Sequence, residues 1–130
     1  MATIDADGAA GGLGLLWNPN MVSISNICAT RLTISTQFHI LGSKTKGVVT
    51  NVYDPFQPSK KYAFLKEICS FKEWVGHGHW IIGGDFNIIC SLGEKKEGIR
   101  STSAASTLFN NFFEEMNLVD IRTTNGLFTW

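Results

Sequence analysis

The 130-residue chain reads as an α/β fold, and three observations carry that prediction. Apolar and polar residues alternate with a period of two through the first segments, as in half-buried strands. The apolar repeat then lengthens to about 3.6 residues from Ser59 to Val75, and again from about Ser103 to Asn117. Between these helical stretches stands "WII", Trp80 to Ile82, a continuous apolar run of the kind expected of a strand covered on both faces and ended by Gly83 and Gly84.

Taken in order, residues 1–10 read as a frayed N-terminal segment and residues 11–130 as one domain. "GGLGLLW", Gly11 to Trp17, is a strand opening through a glycine pair, and Asn18-Pro19-Asn20 is a strong turn. Val22 and Ile24 alternate with serines, and Leu32, Ile34, Phe38 and Ile40 then fall on even positions, with Thr36 the one polar member. Both segments predict half-buried strands in an antiparallel arrangement. Gly42 to Gly47 is a turn, and Val48 to Tyr53 is a third strand ending at Asp54-Pro55.

In the first helix Leu65, Ile68, Phe71 and Val75 form the inner stripe, and Lys60, Lys61, Lys66 and Lys72 are expected mostly outside; Gly76 supplies a stop. Leu92 to Ser101 is a charged loop, and the second helix carries Leu108, Phe109, Phe112, Phe113 and Met116 on one face. Asn125 to Trp130 begins another strand, so the sheet is expected to be unfinished where this sequence stops.

Composition narrows the function. Hydrophobic residues make up 44% and charged residues 17%, which is globular in character with a rather apolar surface. Eleven basic residues balance eleven acidic ones, so the basic footprint of a free-standing nucleic-acid binder is missing. The three cysteines, Cys28, Cys69 and Cys90, have wide, irregular spacing that suggests neither a disulfide framework nor a zinc knuckle. The N-terminus lacks a basic start before its short apolar run, and no run reaches the ~18 apolar residues of a membrane span. A soluble intracellular protein with no membrane partner is expected.

The chemistry concentrates in "IIGGDFN", where Asp85 and Asn87 follow the glycine pair at the mouth of the sheet. Alternate positions of an extended segment face one side, so Asp85 and Asn87 can converge on one substrate while Phe86 points the other way and anchors the loop. Asp and Asn after glycines are also ordinary turn formers, and an isolated G-D-x-N does not decide between the two readings.

The wider set of motifs does. "GGLGLLW", "NVYDP", "IIGGDFN", "LFNNFFEEMNLVDI" and "LFTW", in this order and spacing, resemble the endonuclease/exonuclease/phosphatase superfamily. Within it they look like the endonuclease domains that plant LINE-type (non-LTR) retrotransposons carry ahead of their reverse transcriptase. The resemblance covers about residues 8–130.

It implies a four-layer α/β sandwich, two facing mixed sheets with helices outside, of which this chain would hold an incomplete part. It implies hydrolysis of phosphodiester bonds in DNA with Mg2+, and nuclear action if the chain serves a retroelement. By matching position, Asp85 would orient or deprotonate the attacking water, and Asn87 would hold the phosphate or the metal-bound water. Tyr53 would donate a hydrogen bond to the scissile phosphate. Asp85 and Asn87 are thus also the implied metal-side residues. Such a set suits the reaction, because a phosphodiester repels hydroxide and needs a base, a cation and neutral donors aimed at the developing charge.

The chain also departs from the family pattern. The Glu of the Q-E-T type motif and the Asp-His of the closing S-D-H motif have no match, Asp5 and Asp7 do not fit the first of these, and Phe56 and Asp54 replace more usual residues near Tyr53. Divalent cations need several oxygen ligands, and the matched positions supply one carboxylate. The expectation is a domain truncated at both ends, with little or no hydrolytic activity alone and with open sheet edges that favour self-association. A non-catalytic retroelement remnant, binding nucleic acid or a partner at most, is the alternative.

Other motifs carry less. His77 and His79 with Cys69 or Cys90 could be drawn as zinc ligands, but loop histidines between a helix stop and a strand are common. "GGLG" lacks the Lys-Ser/Thr of a phosphate loop. Lys95, Lys96 and Arg100 are flanked by Glu94 and Glu97 and form a weak attractor for phosphates.

Overall fold

The computed structural model describes residues 2–4, 12–53, 58–86 and 104–121. Strands β1 (Ala2–Ile4) and β2 (Leu13–Leu15) pair antiparallel as a two-stranded sheet. Strands β3 (Val22–Ala29), β4 (Thr33–Ile40), β5 (Lys46–Tyr53) and β6 (His79–Asp85) form a second sheet in the order β3-β4-β5-β6. Its first three strands are antiparallel, and β5 and β6 run parallel. A parallel pair needs a crossover, which here consists of a 3-10 turn (Pro58–Lys60), α1 (Lys61–Ser70) and α2 (Lys72–Val75). A third helix, α3 (Ala104–Glu115), follows.

The faces of the four-stranded sheet follow from register. Val48, Thr50 and Val52 lie opposite Trp80, Ile82 and Gly84, so these side chains share one face. On that face Val52, Phe64, Leu65 and Ile68 join Phe109 and Phe112 in one buried cluster, which α1 and α3 close over the sheet. The polar groups beneath are satisfied: Ser35 Oγ and Thr50 Oγ1 lie 2.9 Å apart, and Trp80 Nε1 donates to Thr50 Oγ1 at 3.0 Å.

The opposite face, which carries Asn51 and Tyr53, receives the two-stranded sheet. Strand β2 lies against β4 and β5, and Asn51 Nδ2 donates to the Gly14 carbonyl at 3.0 Å. The arrangement at β5 is therefore helices, sheet and sheet in succession, a mixed α/β architecture.

Several expectations are met. Both helices fall inside their predicted ranges, Gly76 ends α2 with a φ of +60°, and Phe109 and Phe112 are buried. Others need correction. Part of the segment read as frayed, Ala2 to Ile4, is a strand, because β2 offers it a pairing partner. The first predicted helix is broken at Phe71, where α1 ends and α2 begins.

Strand β4 is buried on both faces from Thr33 to Thr36 rather than half-buried, since helices and β2 cover it from opposite sides, while Ile40 at its far end is exposed. The apolar run at Trp80 to Ile82 is not covered on both faces: β6 is the last strand in the sheet order of the described residues, and Ile81 is 49% exposed. Nor do the glycines end that strand, which runs through them to Asp85. Lys61, expected outside, is 3% exposed. The charged loop, the stretch Asn125–Trp130, Asp5, Asp7, Asp54, Phe56 and Cys90 lie outside the described residues.

Candidate functional site at the mouth of strands β5 and β6

Tyr53 and Asp85 end two neighbouring parallel strands and are register partners. Strand spacing puts their backbones roughly 4.8 Å apart, so two residues separated by thirty-one intervening positions become neighbours at one sheet end. Tyr53 is half-buried, and its N–H donates to the Leu32 carbonyl at 2.9 Å, which fixes the end of β5 to the start of β4. Asp85 is exposed. Asn87, the third predicted site residue, lies outside the described residues.

The glycine pair places Asp85 there. Gly84 has a φ of +126°, a conformation that side-chain-bearing residues rarely adopt, and a Cβ on it would run into the Val52 carbonyl oxygen and, at 2.8 Å, the Val52 nitrogen. Only glycine lets β6 stay in register with β5 through this step. Gly83 differs: among the described residues nothing lies within 4 Å of where its Cβ would be.

Phe86 turns into the helical core as the sequence predicts. Its ring meets Phe109 at a centroid distance of 5.0 Å and Phe64 edge-on at 6.3 Å. A second anchor, absent from the sequence reading, holds the same residue: Lys61 Nζ donates to the Phe86 carbonyl at 3.0 Å. The exit of β6 is thus held by a ring on one side and a buried ammonium at its main chain.

Among the described residues the donor set does not make a divalent-cation cage. Among the described residues no three His, Cys, Asp or Glu side chains come together as a metal site, and Asp85 ends β6 at the mouth. Residues His77, His79 and Cys69 are not gathered into such a group.

A separate cleft of about 370 Å³ lies at the opposite end of the sheet, where Ser25, Gln37, His39, Lys46 and Trp74 are among its lining residues. Two of its polar side chains have partners: Gln37 Oε1 accepts from Asn26 Nδ2 at 2.5 Å, and His39 Nε2 lies 2.8 Å from the Ser43 carbonyl. The mouth of β5 and β6, by contrast, brings a phenol and a carboxylate together from distant sequence positions. No protein-family model matches the chain, and no curated protein matches it.

Proposed function

We propose that the chain is a domain of the endonuclease/exonuclease/phosphatase type, with part of that family's four-layer sandwich, whose β5–β6 mouth faces a phosphodiester of DNA. The observation that supports this most is the register of Tyr53 with Asp85 at the ends of adjacent parallel strands. A resemblance confined to short motifs would not require those motifs to meet in space, whereas a shared site would.

At such a mouth the Tyr53 hydroxyl donates a neutral hydrogen bond to a non-bridging phosphate oxygen, and Asp85 accepts a proton from, or orients, a water on the phosphorus side. Asn87, two positions beyond Asp85, adds an uncharged donor. Magnesium is the family's cation, and one matched carboxylate is too small a donor set to hold it, so no step is routed through a metal here. The 130-residue chain by itself therefore binds phosphodiester weakly and turns it over little or not at all.

The second reading, a retroelement-derived remnant that binds nucleic acid or a partner without catalysis, is favoured by that same small donor set. Supercoiled plasmid incubated with the folded protein and Mg2+, with Asp85→Ala and a chelator in parallel, tests whether the chain has any catalysis of its own. Unchanged plasmid is the expected result. Nicking that disappears in both controls would overturn the non-catalytic part of the proposal and show that other groups complete the site.

A further inference from the structure

Lys61 breaks three local rules at once. It opens α1, where the helix dipole disfavours a cation; the first turn holds no acidic residue to offset it; and its side chain is buried at 3% exposure, where lysine is rarely found. Residues that break local rules without stabilising their own element are expected where function needs them. One hydrogen bond of Lys61 reaches away from its helix, from Nζ to the Phe86 carbonyl at 3.0 Å, across twenty-five positions of sequence.

That carbonyl belongs to the residue between Asp85 and Asn87. We infer that Lys61 is a positioning residue of the mouth: its ammonium pins the main chain between the two acidic-amide site positions, so that Asp85 keeps its register opposite Tyr53. The inference rests on the phosphodiester reading for its functional meaning, but its structural half stands on the bond alone.

Geometry gives the reason for a lysine. The Phe86 ring packs in the helical core against Phe64 and Phe109, which fixes the side chain but does not by itself set the orientation of the peptide. A charged donor on the carbonyl sets that orientation, because a charge-assisted hydrogen bond in a buried setting is stronger than a neutral one and strongly directional. Lys61 also sits one helical turn ahead of Phe64 and Leu65, on the stripe that packs on the sheet, so α1 delivers the ammonium to the exit of β6.

The test begins with the unaltered chain. A through-hydrogen-bond scalar coupling between Lys61 ¹⁵Nζ and the Phe86 ¹³C carbonyl is expected by NMR, and its absence in folded protein overturns the inference. Lys61→Met then keeps the aliphatic stem and removes the donors. Amide exchange at Gly84, Asp85 and Phe86 should speed up by about tenfold or more while α1 and β4 amides stay within about twofold. Uniform acceleration, or none, would make Lys61 a packing residue and overturn its positioning role. If Lys61→Met does not fold, the coupling in the unaltered chain decides.

The functional half is read from affinity for a short DNA duplex. Lys61→Met should weaken binding as Tyr53→Phe does. Loss in Tyr53→Phe with no change in Lys61→Met overturns the functional half of the inference. No change in either variant, with the coupling present, removes the phosphodiester reading and leaves the structural anchor standing.

Discussion

Gly84→Ala is the substitution for which the structure predicts the largest effect from the smallest change. Two costs add. An alanine held at a φ of +126° carries backbone strain of about 1–3 kcal/mol. Its methyl group would also occupy the space of the Val52 carbonyl oxygen and lie 2.8 Å from the Val52 nitrogen, both rigid main-chain atoms, so the end of the β5–β6 ladder must open. Losing one or two ladder hydrogen bonds adds about 1 kcal/mol each.

The total of about 2–5 kcal/mol is a large share of the roughly 5–15 kcal/mol that holds a domain folded. With unfolding entropy of about 2.1 cal/mol/K per residue over 130 residues, it lowers the melting temperature by roughly 7–18 °C. Gly83→Ala is the internal control. Nothing among the described residues crowds its Cβ position, so its effect stays within about 1 kcal/mol in either direction. Thermal melts followed by circular dichroism, with urea titration for confirmation, measure both. A Gly84→Ala protein melting within about 3 °C of the parent, or a Gly83→Ala protein equally damaged, would refute the close-approach argument.

Three further outcomes are expected. Glu67 accepts hydrogen bonds from Thr30 Oγ1 at 2.5 Å and Thr33 Oγ1 at 3.1 Å, tying the β3–β4 turn to α1, so Glu67→Ala should cost about 1–3 kcal/mol by urea denaturation. Burial pushes the Cys69 thiol up, so in a Cys90→Ser chain exposed Cys28 should react first with a thiol reagent at pH 8, and Cys69 labelling should keep rising with pH into the alkaline range as its thiolate forms. In chelator, Asp85→Asn should tighten binding of a short DNA duplex by about twofold to fivefold, because it removes a charge that repels phosphate, and Tyr53→Phe should weaken it by a similar factor; fluorescence anisotropy reads both.

Much of the architecture was legible because its signals are local. The alternation of Val22 and Ile24 with serines in β3, the stripe Phe109 and Phe112, and the stop at Gly76 each depend on a few neighbouring residues, and the structure keeps them. What was not legible depends on contacts between distant segments. The requirement for glycine at position 84 arises from the approach of Val52, and the burial of β4 on both faces arises from β2 lying against it; neither leaves a local pattern.

Lys61 is the instructive miss. Its spacing to Phe64, Leu65 and Ile68 places it on the inner stripe, whereas its charge alone points to solvent, and the two local signals conflict. At the candidate site, sequence singled out Tyr53 and Asp85 separately. Their meeting required the parallel register of β5 and β6, which no pattern within either strand encodes.

The central claim is that the β5–β6 mouth, and not the cleft at the opposite end of the sheet, faces a phosphodiester. Titrating the ¹⁵N-labelled chain with a short DNA duplex at low salt tests it in one measurement. The account predicts that amide shifts move together at Val52, Tyr53, Gly84 and Asp85 and leave Gln37, His39 and Trp74 in place. Shifts centred on those last three residues, or none at either end at millimolar duplex, would contradict it.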